Sequence, residues 1–153
     1  MINRYGRFSN AIACIYHDIQ RIERVEMARY GLKGPHAQCL LEMGNFPDGV
    51  TAARLCESCE KDKAAISRIL TELEQAGMIL REKRNGIAYR AKLYLTQRGS
   101  AAAQSVAEKA QLAVELAGAG LKDSERETFY FVLEKIAGNL HGICRDGLNK
   151  REG

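Results

Sequence analysis

The chain has 153 residues, 46% hydrophobic and 27% charged, with fourteen Gly and two Pro. Those are the proportions of a packed globular protein, which excludes disordered, collagen-like and low-complexity classes. No stretch reaches the ~18 consecutive apolar residues of a membrane span, and Asn10, His17 and Asp18 interrupt any apolar core of a secretion signal behind the basic N-terminus. The expected location is cytoplasmic, with no membrane partner.

Net charge is +4, and its placement is uneven. From Lys61 to Arg98 there are nine basic residues against four acidic ones, leaving fourteen against fifteen elsewhere. A cationic segment in an otherwise neutral chain suits a polyanion such as nucleic acid, and on charge alone it suits a solvated surface equally well. The five cysteines, Cys14, Cys39, Cys56, Cys59 and Cys144, are odd in number. No disulfide framework is expected.

In chain order, Phe8, Ile12, Ile15, Ile19 and Ile22 recur at steps of four and three, one face of an amphipathic helix over about 8–29. Gly31 and Gly34 end it, and Pro35 opens a second helix to about Met43. After the turn-rich 44–49, Thr51 caps a short helix from Ala52 to Ser58. Asp62 caps another to about Ala76, with Ala65, Ile66, Ile69, Leu70 and Leu73 on its apolar side and Lys63, Ser67, Arg68 and Thr71 on its polar side. Two helices joined this tightly form a helix-turn-helix, and fifteen residues give roughly 22 Å, enough to lie in a major groove.

Residues 78–83 and 91–95 read as two strands, the second alternating Ala91, Leu93 and Leu95 with Lys92 and Tyr94. Asn85-Gly86 supplies the hairpin turn, which makes a wing. Thr96 starts an Ala-rich helix with Val106, Ala110, Ala113 and Ala117 in one stripe, broken by Gly118 and Gly120. Ser124-Glu125-Arg126-Glu127 reads as a capping box for a last helix, whose stripe is Phe129, Val132, Leu133, Ile136, Leu140 and Ile143. The fold class is therefore mainly α with a small β-hairpin wing. Amphipathic helices at both chain ends need more surface to cover them than one winged helix offers, which suggests a second copy; a monomeric bundle cap is the alternative.

This order, together with the run from Ile66 to Ile79 and the motif Leu95-Thr96-Gln97-Arg98-Gly99, whose Gly falls 22 residues after Gly77, resembles the MarR family of bacterial transcription regulators. The resemblance covers nearly the whole chain. It implies a winged helix-turn-helix over 35–99 and a helical dimerisation region from 1–34 and 100–149. It also implies a homodimer on a palindromic double-stranded operator, released by a small-molecule effector. Lys63, Ala64, Ala65, Ser67, Arg68 and Thr71 stand at the positions that approach DNA. Arg68 has the fork to engage guanine O6 and N7, while Ser67 and Thr71 suit phosphate or water-mediated contacts. The plain alternative for Arg68 is an i,i+4 partnership with Glu72.

The wing departs from the family, since Ile87, Ala88 and Tyr89 stand where many members carry Asp-Arg-Arg. Arg84 and Arg90 flank them and are the candidates for a narrow minor groove. Members of the family hold effectors between the dimerisation helices and the winged helix, and Tyr16, His36 and Cys39 are the candidates for that cleft. No metal site and no cofactor are expected: Cys56-x-x-Cys59 has no second ligand pair, and two ligands at His36 and Cys39 are too few. Two rival readings remain at this point. One is a redox or metal sensor acting through the cysteines and His36; the other is a winged-helix protein-interaction module with weakened DNA contacts. No Ser-His-Asp set, phosphate-cradling Gly loop or HExxH suggests an enzyme.

Overall fold

A computed structural model describes residues 3–82 and 91–148. The element order is α1 (Arg4–Ala28), α2 (Gly34–Gly44), α3 (Ala52–Ser58), α4 (Lys63–Gln75), β1 (Ile79–Arg81), β2 (Leu93–Leu95), α5 (Gln97–Ala117) and α6 (Asp123–Asp146). Compactness divides the chain into units 1–113 and 114–153. Division by role, 35–99 against the two ends, cuts elsewhere, because the C-terminal turns of α1 and the first half of α5 pack in the same unit as the helix-turn-helix.

α1 begins four residues ahead of its apolar periodicity because the Asn3 carboxamide oxygen accepts from the Gly6 amide at 2.7 Å. Thr51 and Asp62 cap α3 and α4 as their side chains suggest, accepting from Arg54 N at 3.2 Å and Ala65 N at 2.7 Å. The core of this unit joins Met27, Leu40, Leu55, Ile66, Leu70, Leu73, Met78, Ile79, Leu93 and Val106, all essentially inaccessible. Burying each such side chain contributes about 1.5–3 kcal/mol, so α4 is held by its four apolar anchors whatever its outer face carries.

β1 and β2 are antiparallel, with Ile79 opposite Leu95 and Arg81 opposite Leu93. Both are shorter than their alternation suggests, although Glu82 N still donates to Lys92 O at 2.8 Å. A third segment joins them: Val50 and Leu93 exchange backbone bonds of 3.0 and 2.8 Å. The Asn85-Gly86 turn lies outside the described residues.

The Leu-Thr-x-x-Gly motif acquires a physical reason. The Thr96 hydroxyl donates to the Gly77 carbonyl at 2.7 Å and accepts from the Gly99 amide at 3.0 Å, capping α5 while tying it to the end of α4. A Cβ on Gly99 would sit 1.9 Å from the Met78 carbonyl oxygen, so only glycine fits. Gly77 itself has φ +72, the left-handed conformation that ends α4. The face that α5 buries is Gly99, Ala102, Ala103 and Val106. The expected stripe through Ala110, Ala113 and Ala117 thus overlaps it only at Val106, because packing is confined to the helix's first turns.

In the second unit, α6 starts before the expected box. Ser124 lies inside the first turn, where its carbonyl accepts from the Thr128 hydroxyl at 2.7 Å. The reach back to the cap is made by Glu125, which accepts from Lys122 N at 2.8 Å. Arg126 donates to the Gly118 carbonyl at 3.1 Å. No residue of α6 is buried. Phe129, Val132 and Leu140 are 48%, 44% and 46% exposed, and on α1 the five stripe residues are 37–50% exposed. No helix is long and apolar enough to cross a membrane among the described residues.

Candidate nucleic-acid interface

α4 is amphipathic along its whole length. Ile66, Ile69, Leu70 and Leu73 face the core, which fixes the opposite side as the outward one. On that side Lys63, Ala64, Ser67, Arg68 and Thr71 are exposed, while Ala65 is half-buried on the flank. Thr71 spends its proton on the Ser67 carbonyl at 2.9 Å, so its free function outward is as an acceptor. Arg68 makes no hydrogen bond or ion pair among the described residues. Glu74, further along the helix, is tied to β1 through Arg81 at 2.7 Å, which steadies the helix against the hairpin root. Arg84 and Arg90, with Ile87, Ala88 and Tyr89, lie outside the described residues.

Behind Arg68 the structure places a pair that has no local signature in the chain. His36, 3% exposed at the start of α2, accepts from the Lys33 amide through Nδ1 at 2.9 Å. An Nδ1 that accepts leaves the ring proton on Nε2, which donates to the Glu72 carboxylate of α4 at 2.6 Å. This hydrogen bond, more than the nearby charges of Lys33 and Arg68, holds the Glu72 carboxyl below the usual carboxylate range. Glu72 is thus bonded to α2 and not to Arg68.

The three effector candidates part company. Tyr16 lines a groove of about 600 Å³ with Ile19, Glu23, Arg24, Leu32 and Lys33; Glu23 there has its carboxyl raised by burial. His36 faces Glu72 instead. Cys39 is wholly buried, its Sγ 4.0 Å from that of Cys59. Burial, with the neighbouring Cys59 a smaller influence, pushes the Cys39 thiol up to about 12. A thiol so disfavoured as thiolate is a poor nucleophile and a poor metal ligand. Cys56 is half-buried, and no three His, Cys, Asp or Glu side chains gather as a metal site among the described residues.

A third tie runs between α1 and α5. Glu26, 4% exposed, accepts a short hydrogen bond from the Ser105 hydroxyl and a second contact from Arg29 at 3.3 Å. The Ser105 bond is the main reason its carboxyl lies below the usual range, against the opposing effect of burial.

Comparison with known proteins agrees with this geometry. The family model described as MarR family matches residues 30–86, from just after α1 to beyond β1. No curated protein matches the chain in sequence. Among solved structures, a MarR family transcription regulator is 21% identical over 95% of each chain, with a TM-score of 0.81. A MarR family regulator from Listeria monocytogenes, complexed with 26-mer DNA, is 20% identical with a TM-score of 0.77, over 94% of this chain and 97% of that one. The S. aureus MepR–DNA complex is 17% identical with a TM-score of 0.76, over 87% and 97%. The chain is similar to all three in fold.

Proposed function

We propose that the chain, whose residues 30–86 match the MarR family model, is a homodimeric, sequence-specific DNA-binding regulator, a repressor relieved by a small molecule. The observation that carries the reading is the outer face of α4. Four buried anchors lock the helix in place, while Lys63, Ser67, Arg68 and Thr71 stand uncovered on the far side. Arg68 is the base reader, with Ser67 and Thr71 at phosphates or bridging water. Lys63, in the first turn of α4, sits near the backbone, and Arg84 and Arg90 serve the wing.

Dimerisation is supported by the uncovered stripes of α1 and α6, whose aromatic and branched residues are larger than scattered surface hydrophobics require. Two copies covering these stripes set two recognition helices one turn of DNA apart, so a modest change in that spacing abolishes simultaneous docking. The groove at Tyr16 is where an effector would act, bordered by Lys33 at the entry to α2.

The test is direct. Light scattering fixes the mass in solution, and fluorescence anisotropy follows binding to duplex DNA across a salt series. A dimer whose log affinity falls linearly with log salt is expected. A monomer at assay concentration, or affinity indifferent to salt, overturns the reading.

A further inference from the structure

The exposed face of α4 carries a carboxylate, Glu72, one helical turn beyond Arg68. That is the spacing at which side chains on a helix meet and opposite charges pair. Yet Arg68 forms no ion pair among the described residues, while Glu72 is engaged 2.6 Å away by His36 from another helix. The ring cannot swing to let go. It is 3% exposed, and its other nitrogen is held by the Lys33 amide at 2.9 Å, so both ring nitrogens are committed. The three side chains border one hollow of about 460 Å³ that also takes in Lys33 and Lys61, and the Lys33 charge adds to the hold on the carboxylate from that side.

We propose that His36 is a positioning residue for DNA readout: it draws the Glu72 carboxylate toward α2 and so keeps the Arg68 guanidinium unpaired and available to a base. Without that hold, Glu72 competes with guanine for Arg68, and the intrahelical pair must be broken before the guanidinium can reach the groove. The proposal rests on the reading of Arg68 as a DNA contact, and its test separates the two.

The probes are a duplex selected by the full-length protein from a random-sequence pool and a random-sequence duplex of equal length. The quantity read is the ratio of the two affinities. Variants are His36→Asn, Glu72→Asp, Glu72→Gln and the His36→Asn/Glu72→Gln double, each with and without Arg68→Ala, and melting temperature reports whether each folds. Glu72→Asp retains the charge but falls a methylene short of His36, so it tests the idea with the buried ring untouched.

His36→Asn and Glu72→Asp are each expected to lower the ratio about 1.5- to twofold, the scale of an i,i+4 ion pair. Glu72→Gln is expected to restore it in the His36→Asn background, since an amide has no charge with which to hold a guanidinium. All these differences are expected to vanish when Arg68 is Ala. A purely structural His36 would give a loss that Glu72→Gln does not restore and that survives Arg68→Ala. If Arg68→Ala lowers the ratio but His36→Asn and Glu72→Asp do not, the positioning role is overturned and the reading of Arg68 stands. If Arg68→Ala itself changes nothing, the base-reader assignment falls, and the positioning role with it.

Discussion

The Thr96 hydroxyl and the Gly77 carbonyl meet at 2.7 Å across nineteen residues of chain, joining the end of α4 to the start of α5. Three residues on, Gly99 lies against the Met78 carbonyl with no room for a side chain. The two contacts make one joint, and its spacing in sequence follows from the hairpin that must fit between its halves.

Gly99→Ala therefore drives a methyl into a backbone carbonyl that cannot rotate away. The expected cost is about 3 kcal/mol, at the upper end of overpacking effects, read from urea unfolding midpoints. Thr96→Val keeps the shape and loses two hydrogen bonds, for about 1–2 kcal/mol. An unaltered midpoint for Gly99→Ala would mean that α5 and the end of α4 are not so closely apposed.

Glu26 gives a pH signature. Its folded pKa is depressed below the group's ordinary value of 4.5. Its contribution to stability is therefore complete above about pH 4.5 and is lost as pH falls through the lower folded value. Against Glu26→Gln, wild type is expected to be the more stable at neutral pH, with the gap closing below pH 4.5. Ser105→Ala is expected to narrow the gap by about 1 kcal/mol. A gap that stays constant to pH 3 contradicts the assignment; thermal melts at several pH values read it.

Cys39 is expected to resist alkylation by iodoacetamide in the native protein at pH 8 and to react fully in denaturant, followed by mass spectrometry. With the thiol pushed up to about 12 and no exposed surface, native labelling should be at least a hundredfold slower than that of a free thiol. Labelling at a comparable rate would favour the reading of a redox sensor acting through the cysteines.

On α6, Leu140→Glu places a charge in the stripe proposed to be covered by the second copy. A shift from dimer to monomer is expected, with weaker binding to a two-half-site duplex and little change in the melting of the winged-helix core. Light scattering that still reports a dimer moves the interface off α6.

The elements that announce themselves in the sequence are those whose causes are local. Asp62 and Thr51 cap helices three residues away, and the apolar steps of α4 fix both its buried face and its outward one. Ser124 shows the limit of that logic: a good cap followed by acids, it was overtaken by Lys122 and Glu125 because the chain turns earlier. The α5 stripe is less informative for a different reason, since alanines mark helix readily but carry too little bulk to say which of them meet the core. His36 and Glu72 are thirty-six residues apart, Val50 and Leu93 forty-three, and nothing in either neighbourhood signals the other. His36 looked like a metal or effector ligand because its three-residue spacing to Cys39 is visible, whereas its actual partners, a backbone amide and a remote carboxylate, are not.

The bridge between Val50 and Leu93 has a mechanical corollary. Val50 stands one residue before Thr51, the cap of α3, and Leu93 belongs to the strand that returns from the wing. A displacement of that strand reaches the cap of α3 through two backbone hydrogen bonds, alongside the packing of the Val50 and Leu93 side chains in the core. A tug on the hairpin root is felt at once where α3 begins, as a tightened guy-rope is felt at the foot of its mast.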